Sequence, residues 1–168
     1  MEESEASKRN RILIIIAVAI TILIAFSAIT TALMVLSAQK VGTFTLVEGE
    51  IETVDGKPVI RMYSTTWCPH CNWVGPAFEE VAKEYEGRVI AKHWQVDIGD
   101  DALTPEFEGG IPTKELAVFH NLNPSGSVPY FVFGNYIRSG TAFELQDNLE
   151  AEKEEFRLVI ETLLEEVE

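Results

Sequence analysis

The chain has 168 residues, room for one ordinary domain and an appendage. Against 27 Asp and Glu stand 13 Lys and Arg, giving a formal net charge of −14 and a pI of about 4.6. That balance repels nucleic acid and anionic lipid surfaces, so no nucleic-acid partner is expected, and the acidity reads as a solvated, solubilising surface.

Residues 1–11 form a short polar start containing Lys8, Arg9 and Arg11. From Ile12 to Leu36 follows "ILIIIAVAITILIAFSAITTALMVL", which has no charged residue. About 20 apolar residues cross a bilayer core, so 12–36 is predicted to be a transmembrane signal-anchor helix. A cleaved signal peptide is the competing reading, since the small residues Ser37 and Ala38 follow, but signal h-regions are typically shorter than this run. Basic residues precede the span and only Lys40 lies close after it, which puts residues 1–11 in the cytoplasm and the rest outside it. That compartment permits disulfides. Residues 37–42 read as a short tether and 43–168 as the folded domain.

Within the domain, short alternating stretches broken at Glu48-Gly49 and Asp55-Gly56 predict two small strands, then a third from Val59 to Ser64 that leads toward Cys68. Arg61 is an odd occupant of a central strand and calls for a paired charge. Val74, Phe78, Val81, Ala82 and Tyr85 recur at helical spacing, with Pro76 as a kink and Gly87 as a stop. "RVIAKHWQVDI" reads as a strand, Thr113 to Phe119 as a helix, and Pro129–Phe133 with Tyr136–Ser139 as a hairpin turning at Gly134-Asn135. From about Leu149, Phe156, Val159, Ile160, Leu163, Leu164 and Val167 line one face of a final helix.

The only cysteines, Cys68 and Cys71, lie in "STTWCPHCNW". A Cys-x-x-Cys between a strand and a helix puts the first thiol where helix N–H groups and the dipole favour a thiolate. Cys68 is thus the expected exposed nucleophile and Cys71 the buried resolving thiol. Pro69 suits the first helical turn, and His70 would stabilise the Cys68 thiolate further. Haem attachment would need His at Asn72, and so short a loop gains little as a structural staple. A zinc site wants four ligands, so copper or zinc held by Cys68, His70 and Cys71 is kept as an alternative. His93 and His120 read as structural histidines.

From about Gly42 to Glu168 the sequence resembles the thioredoxin superfamily. Trp67, Cys68 and Cys71 match its Trp-Cys-x-x-Cys, Pro76 its helix-kinking proline, and Pro129 in "SVPYFVFG" its cis-proline. The resemblance implies an α/β thioredoxin-like fold, a central mixed sheet flanked by helices, preceded here by one transmembrane helix. It also implies thiol-disulfide exchange with cysteine-containing protein substrates, needing no cofactor. Cys68, Cys71, Pro69 and His70 would serve catalysis; Trp67, Val128 and Pro129 would bind substrate. The inner Pro-His dipeptide and Val128 resemble DsbA-type oxidases, which favours a disulfide donor while leaving the direction of electron flow open. With no third cysteine, a membrane redox partner is expected to recycle the pair. Where the superfamily places a buried acid that assists the second cysteine, this chain has Met62, so Lys92, Glu79 or a water is expected to serve instead.

Overall fold

The computed structural model describes residues 9–11, 13–26 and 40–167. They fall into two compact units, Met1–Gln39 and Lys40–Glu168. In the first, helix α1 (Arg9–Phe26) has a mean hydropathy of 2.1, its described side chains are exposed, and it is long and apolar enough to cross a membrane. A signal sequence meets the same criterion. The rest of the apolar run, 27–36, and residues 37–39 lie outside the described residues.

The second unit is built on a mixed sheet. Its strands are β1 (Lys40–Val41), β2 (Phe44–Leu46), β3 (Thr53–Val54), β4 (Lys57–Ser64), β5 (Ile90–Gln95), β6 (Asp100–Asp101), β7 (Tyr130–Phe133) and β8 (Tyr136–Ser139). The order across the sheet is β1-β2-β8-β7-β4-β5-β6, with β3 paired to β4 off this path. Only β4 and β5 run parallel, Met62 opposite His93; helix α2 (Pro69–Glu84) is carried between them. Lys40 and Val41, expected in the tether, instead pair with Thr45 and Phe44, so the sheet begins inside that segment.

Strand alternation on β4 sorts side chains to two faces. Ile60 and Met62 join Phe44, Phe131 and Phe133 under α2 and α4 (Leu149–Val167), which supply Val74, Phe78, Phe156, Val159, Ile160 and Leu163. Phe156 is fully buried among four other phenylalanines; burying one such ring is worth about 1.5–3 kcal/mol. Tyr63 faces the other way, toward Trp94, Tyr130, Val132 and Phe119 of α3 (Thr113–Leu122). The helix-sheet-helix arrangement predicted from the sequence is therefore the one observed.

Arg61 has the paired charge its position demands. Its Nε donates to Glu115 at 2.6 Å and its Nη2 to Glu52 at 2.6 Å, while Lys92 reaches Glu115 at 2.8 Å. Burial alone would push the Glu115 carboxyl up, but Arg61 and Lys92 outweigh it and hold it at about 2. On the opposite face Arg138 forms a second buried pair with Glu152 at 2.8 Å, its guanidinium 4.6 Å from the Phe131 ring centre.

Candidate active site

Strand β4 ends at Ser64, and Thr65 to Trp67 turn the chain into α2. Asp97 fixes that turn by accepting the Thr66 N–H at 3.1 Å and its hydroxyl at 2.5 Å. Burial raises the Asp97 carboxyl, yet these Thr66 bonds prevail and keep it below its ordinary value.

Cys68 is the N-cap of α2, with φ −81° and ψ 116°, and its Sγ accepts the Cys71 N–H at 3.2 Å. Pro69 occupies the first turn, where a missing N–H costs nothing, and no acidic residue stands in that turn to oppose negative charge. The two cysteines are joined as a disulfide with Cα atoms 5.2 Å apart. The Val128-Pro129 peptide is cis, as the sequence pattern implied, and places the Val128 carbonyl oxygen 3.8 Å from the Cys68 sulfur.

One expectation needs correcting. Cys68 is not exposed: it is 4% accessible against 3% for Cys71. The Val128 carbonyl lies 3.8 Å from its sulfur, which also accepts the Cys71 N–H. Beside the pair Trp67, 71% exposed, Pro69, His70 and Asn72 reach solvent.

The His70 ring is held by a residue the sequence did not single out. Its Nδ1 lies 2.7 Å from Glu144, in the 3-10 turn Glu144–Gln146, and next to it Trp73 Nε1 donates to Asp147 at 3.2 Å. Burial raises the Glu144 carboxyl, but hydrogen bonds from Thr141 and His70 outweigh it, so it is ionised at neutral pH. Glu144 is 74 positions from His70, and nothing local in the sequence marks the pairing.

Beneath α2, Met62 is fully buried and apolar. Lys92, expected as a possible proton acceptor there, faces α3 and is bonded to Glu115. Glu79 does face this side, but its carboxylate is held 2.9 Å from Nδ1 of the buried His93. Among the described residues no three His, Cys, Asp or Glu side chains gather as a metal site, so the copper or zinc alternative finds no ligand set. His120 is exposed near the end of α3.

Residues 45–121 match the family model described as Thioredoxin. Thioredoxin 1 of Chlorobaculum tepidum is 33% identical over 75 residues, 44% of this chain and 74% of that protein. The thioredoxin of Thiocapsa roseopersicina is 38% identical over 64 residues, 36% of this chain and 67% of that protein. Among solved structures, reduced DsbA1 from Neisseria meningitidis superposes with a TM-score of 0.49 at 14% identity, over 76% of this chain and 96% of that one.

Proposed function

This chain belongs to the thioredoxin family and is a thiol-disulfide oxidoreductase, and from that premise we propose that it is a membrane-anchored, extracytoplasmic disulfide donor to cysteine-containing proteins. The observation that carries this reading is the capping of α2 by Cys68, whose sulfur accepts the Cys71 N–H at 3.2 Å in a first turn free of acidic residues. A thiolate formed there is stabilised by the helix start, and a more stable reduced form makes its disulfide a stronger oxidant.

In this reading a substrate thiolate attacks Cys68, Cys71 leaves as the thiolate, and the substrate's second thiolate then releases the product disulfide. The substrate loses two electrons and the pair gains them. A membrane redox partner must reoxidise the pair, because the chain has no third cysteine. Trp67 offers an exposed apolar surface, and the backbone at Val128 before Pro129 offers strand-like pairing to an extended substrate. The apolar run Ile12 to Leu36, with Lys8, Arg9 and Arg11 before it, supports an anchor that leaves the domain outside the cytoplasm.

The test is the reduction potential of the Cys68-Cys71 pair in the full detergent-solubilised chain, by thiol trapping after equilibration in glutathione buffers. A value near about −120 mV is expected; a value near about −270 mV would make the protein a reductant and overturn the direction.

A further inference from the structure

Cys71 is 3% exposed, and burial in apolar surroundings disfavours a thiolate. Yet disulfide exchange requires this sulfur to give up a proton each time it closes the pair and to take one back each time it leaves. The residue beneath it, Met62, has no group to do this.

Three polar groups on this side of the sheet, Ser64, His93 and Glu79, form one connected chain. His93 stands opposite Met62 on β5 and is 4% exposed. Its Nε2 lies 2.8 Å from the hydroxyl of Ser64, which points to the same side of β4 as Met62, at the end of the strand that leads into the cysteine turn. Its Nδ1 lies 2.9 Å from Glu79 of α2, whose side chain is 40% exposed. The ring also reaches the helix that carries Cys71. Gly75, one turn after Cys71, is buried, and a Cβ there would meet His93 Cε1 at 3.3 Å and Met62 Cε at 3.9 Å. The absence of a side chain at Gly75 thus admits the imidazole to the underside of α2. From β6, Asp101 accepts the His93 backbone N–H at 2.9 Å; Lys92 and Glu115 lie on the other face.

We propose that His93 takes and returns the Cys71 proton during disulfide exchange, receiving it through the Ser64 hydroxyl and passing it to solvent at Glu79. In the disulfide form Cys71 has no proton to give, so the transfer belongs to the opened pair. When the pair closes, the Cys71 proton moves to Ser64 as the Ser64 proton moves to His93. The Cys71 thiolate then bonds to the Cys68 sulfur as the bond from Cys68 to substrate breaks. The substrate sulfur leaves as a thiolate and is protonated from solvent, and His93 discharges its proton past Glu79. His93 acts through Ser64 and is therefore a positioning and relay residue. This inference rests on the reading of Cys71 as the resolving thiol.

The experiment uses the reduced full chain in detergent, mixed with oxidised glutathione in stopped flow across pH 5 to 9. The first phase reports attack by Cys68 and the second reports closure by Cys71. H93Q, which keeps a hydrogen-bonding side chain but carries no proton at neutral pH, is expected to slow the second phase at least about tenfold at pH 7. The first phase should be unchanged, and the deficit should close as pH passes the ordinary thiol value of about 8.5. E79Q, changed at the exposed end, is expected to slow only the second phase, about threefold, and decides the question if H93Q does not fold. An unchanged second phase in the folded variants, or a deficit equal at every pH, overturns the relay. Failure of the wild-type protein to show a first phase would instead overturn the disulfide-exchange reading itself.

Discussion

On the α3 side of β4, Arg61 meets Glu115 and Glu52, and Lys92 and Lys114 complete a charged cluster around these acids. On the α2 side, three residues along, Ser64 meets His93 and His93 meets Glu79, in a line that ends at solvent. The first arrangement neutralises every charge it buries, so removing a member exposes a cost in stability. The second carries ionisable groups without a matching cluster of counter-charges, so removing a member changes what protons can do. One strand thus separates a structural network from a chemical one by a 180° alternation.

Four measurements break or sharpen that division. The largest effect is expected from C71S, on the α2 side. Exchange should fall to background while a glutathione or substrate adduct accumulates on Cys68, seen as added mass in the intact protein. Resolution at the wild-type rate would remove Cys71 from the mechanism. Next is E115Q on the α3 side, which strands Arg61 with half its partners gone and should cost about 3–5 kcal/mol in denaturant unfolding. Its reduction potential and exchange rates should match wild type, and an altered pH profile for exchange would show that the two faces are not independent.

The third effect is acid sensitivity. The Glu115 carboxyl sits at about 2 in the folded chain against an ordinary value of 4.5, so it binds protons more weakly folded than unfolded. Its contribution is complete above pH 4.5 and is lost as pH falls toward 2. Unfolding free energy followed over that window should decline in wild type and decline less steeply in E115Q; parallel curves would contradict the assignment. The smallest effect is expected at the rim. E144Q removes one negative charge near the start of α2, which favours the Cys68 thiolate and should raise the potential, by no more than about 20 mV for an exposed pair. A fall in potential would show that Glu144 acts chiefly by holding the His70 ring in place.

Much of this was legible in the sequence because it is local. The hairpin at Gly134-Asn135, the last helix from Leu149 and the cysteine turn are each written in neighbouring residues, and each stands where expected. The third helix runs on to Leu122, three residues beyond Phe119, and α2 ends at Glu84 before Gly87 is reached. The two-residue strands β1 and β6 exist only through their partners and leave no periodic trace. Arg61 signalled a need for a counter-charge, but Glu115 lies 54 positions away and no pattern links them. His93 read as structural, since a histidine in a strand shows nothing of the serine 29 positions back or of the glycine above its ring. The burial of Cys68 was missed for the same reason: the carbonyl against it comes from Val128, 60 residues on.

The start of the sheet is fastened to the last helix. Thr43, between β1 and β2, gives its N–H to Glu155 at 2.6 Å and its hydroxyl to the same carboxylate at 2.9 Å, while Arg138 reaches the Thr43 oxygen at 3.1 Å. Gly42 lets this happen, since a Cβ there would collide with the Glu155 carboxylate. In mechanical terms, a pull on the chain ahead of Lys40 is resisted by more than a two-residue edge strand. Such a pull meets the pairing of Lys40 and Val41 first and then the Thr43 bonds to Glu155, so the last helix shares the load with the edge of the sheet. For a domain held by that end, Thr43 and Glu155 are the bonds through which the last helix would hold the first strands in place.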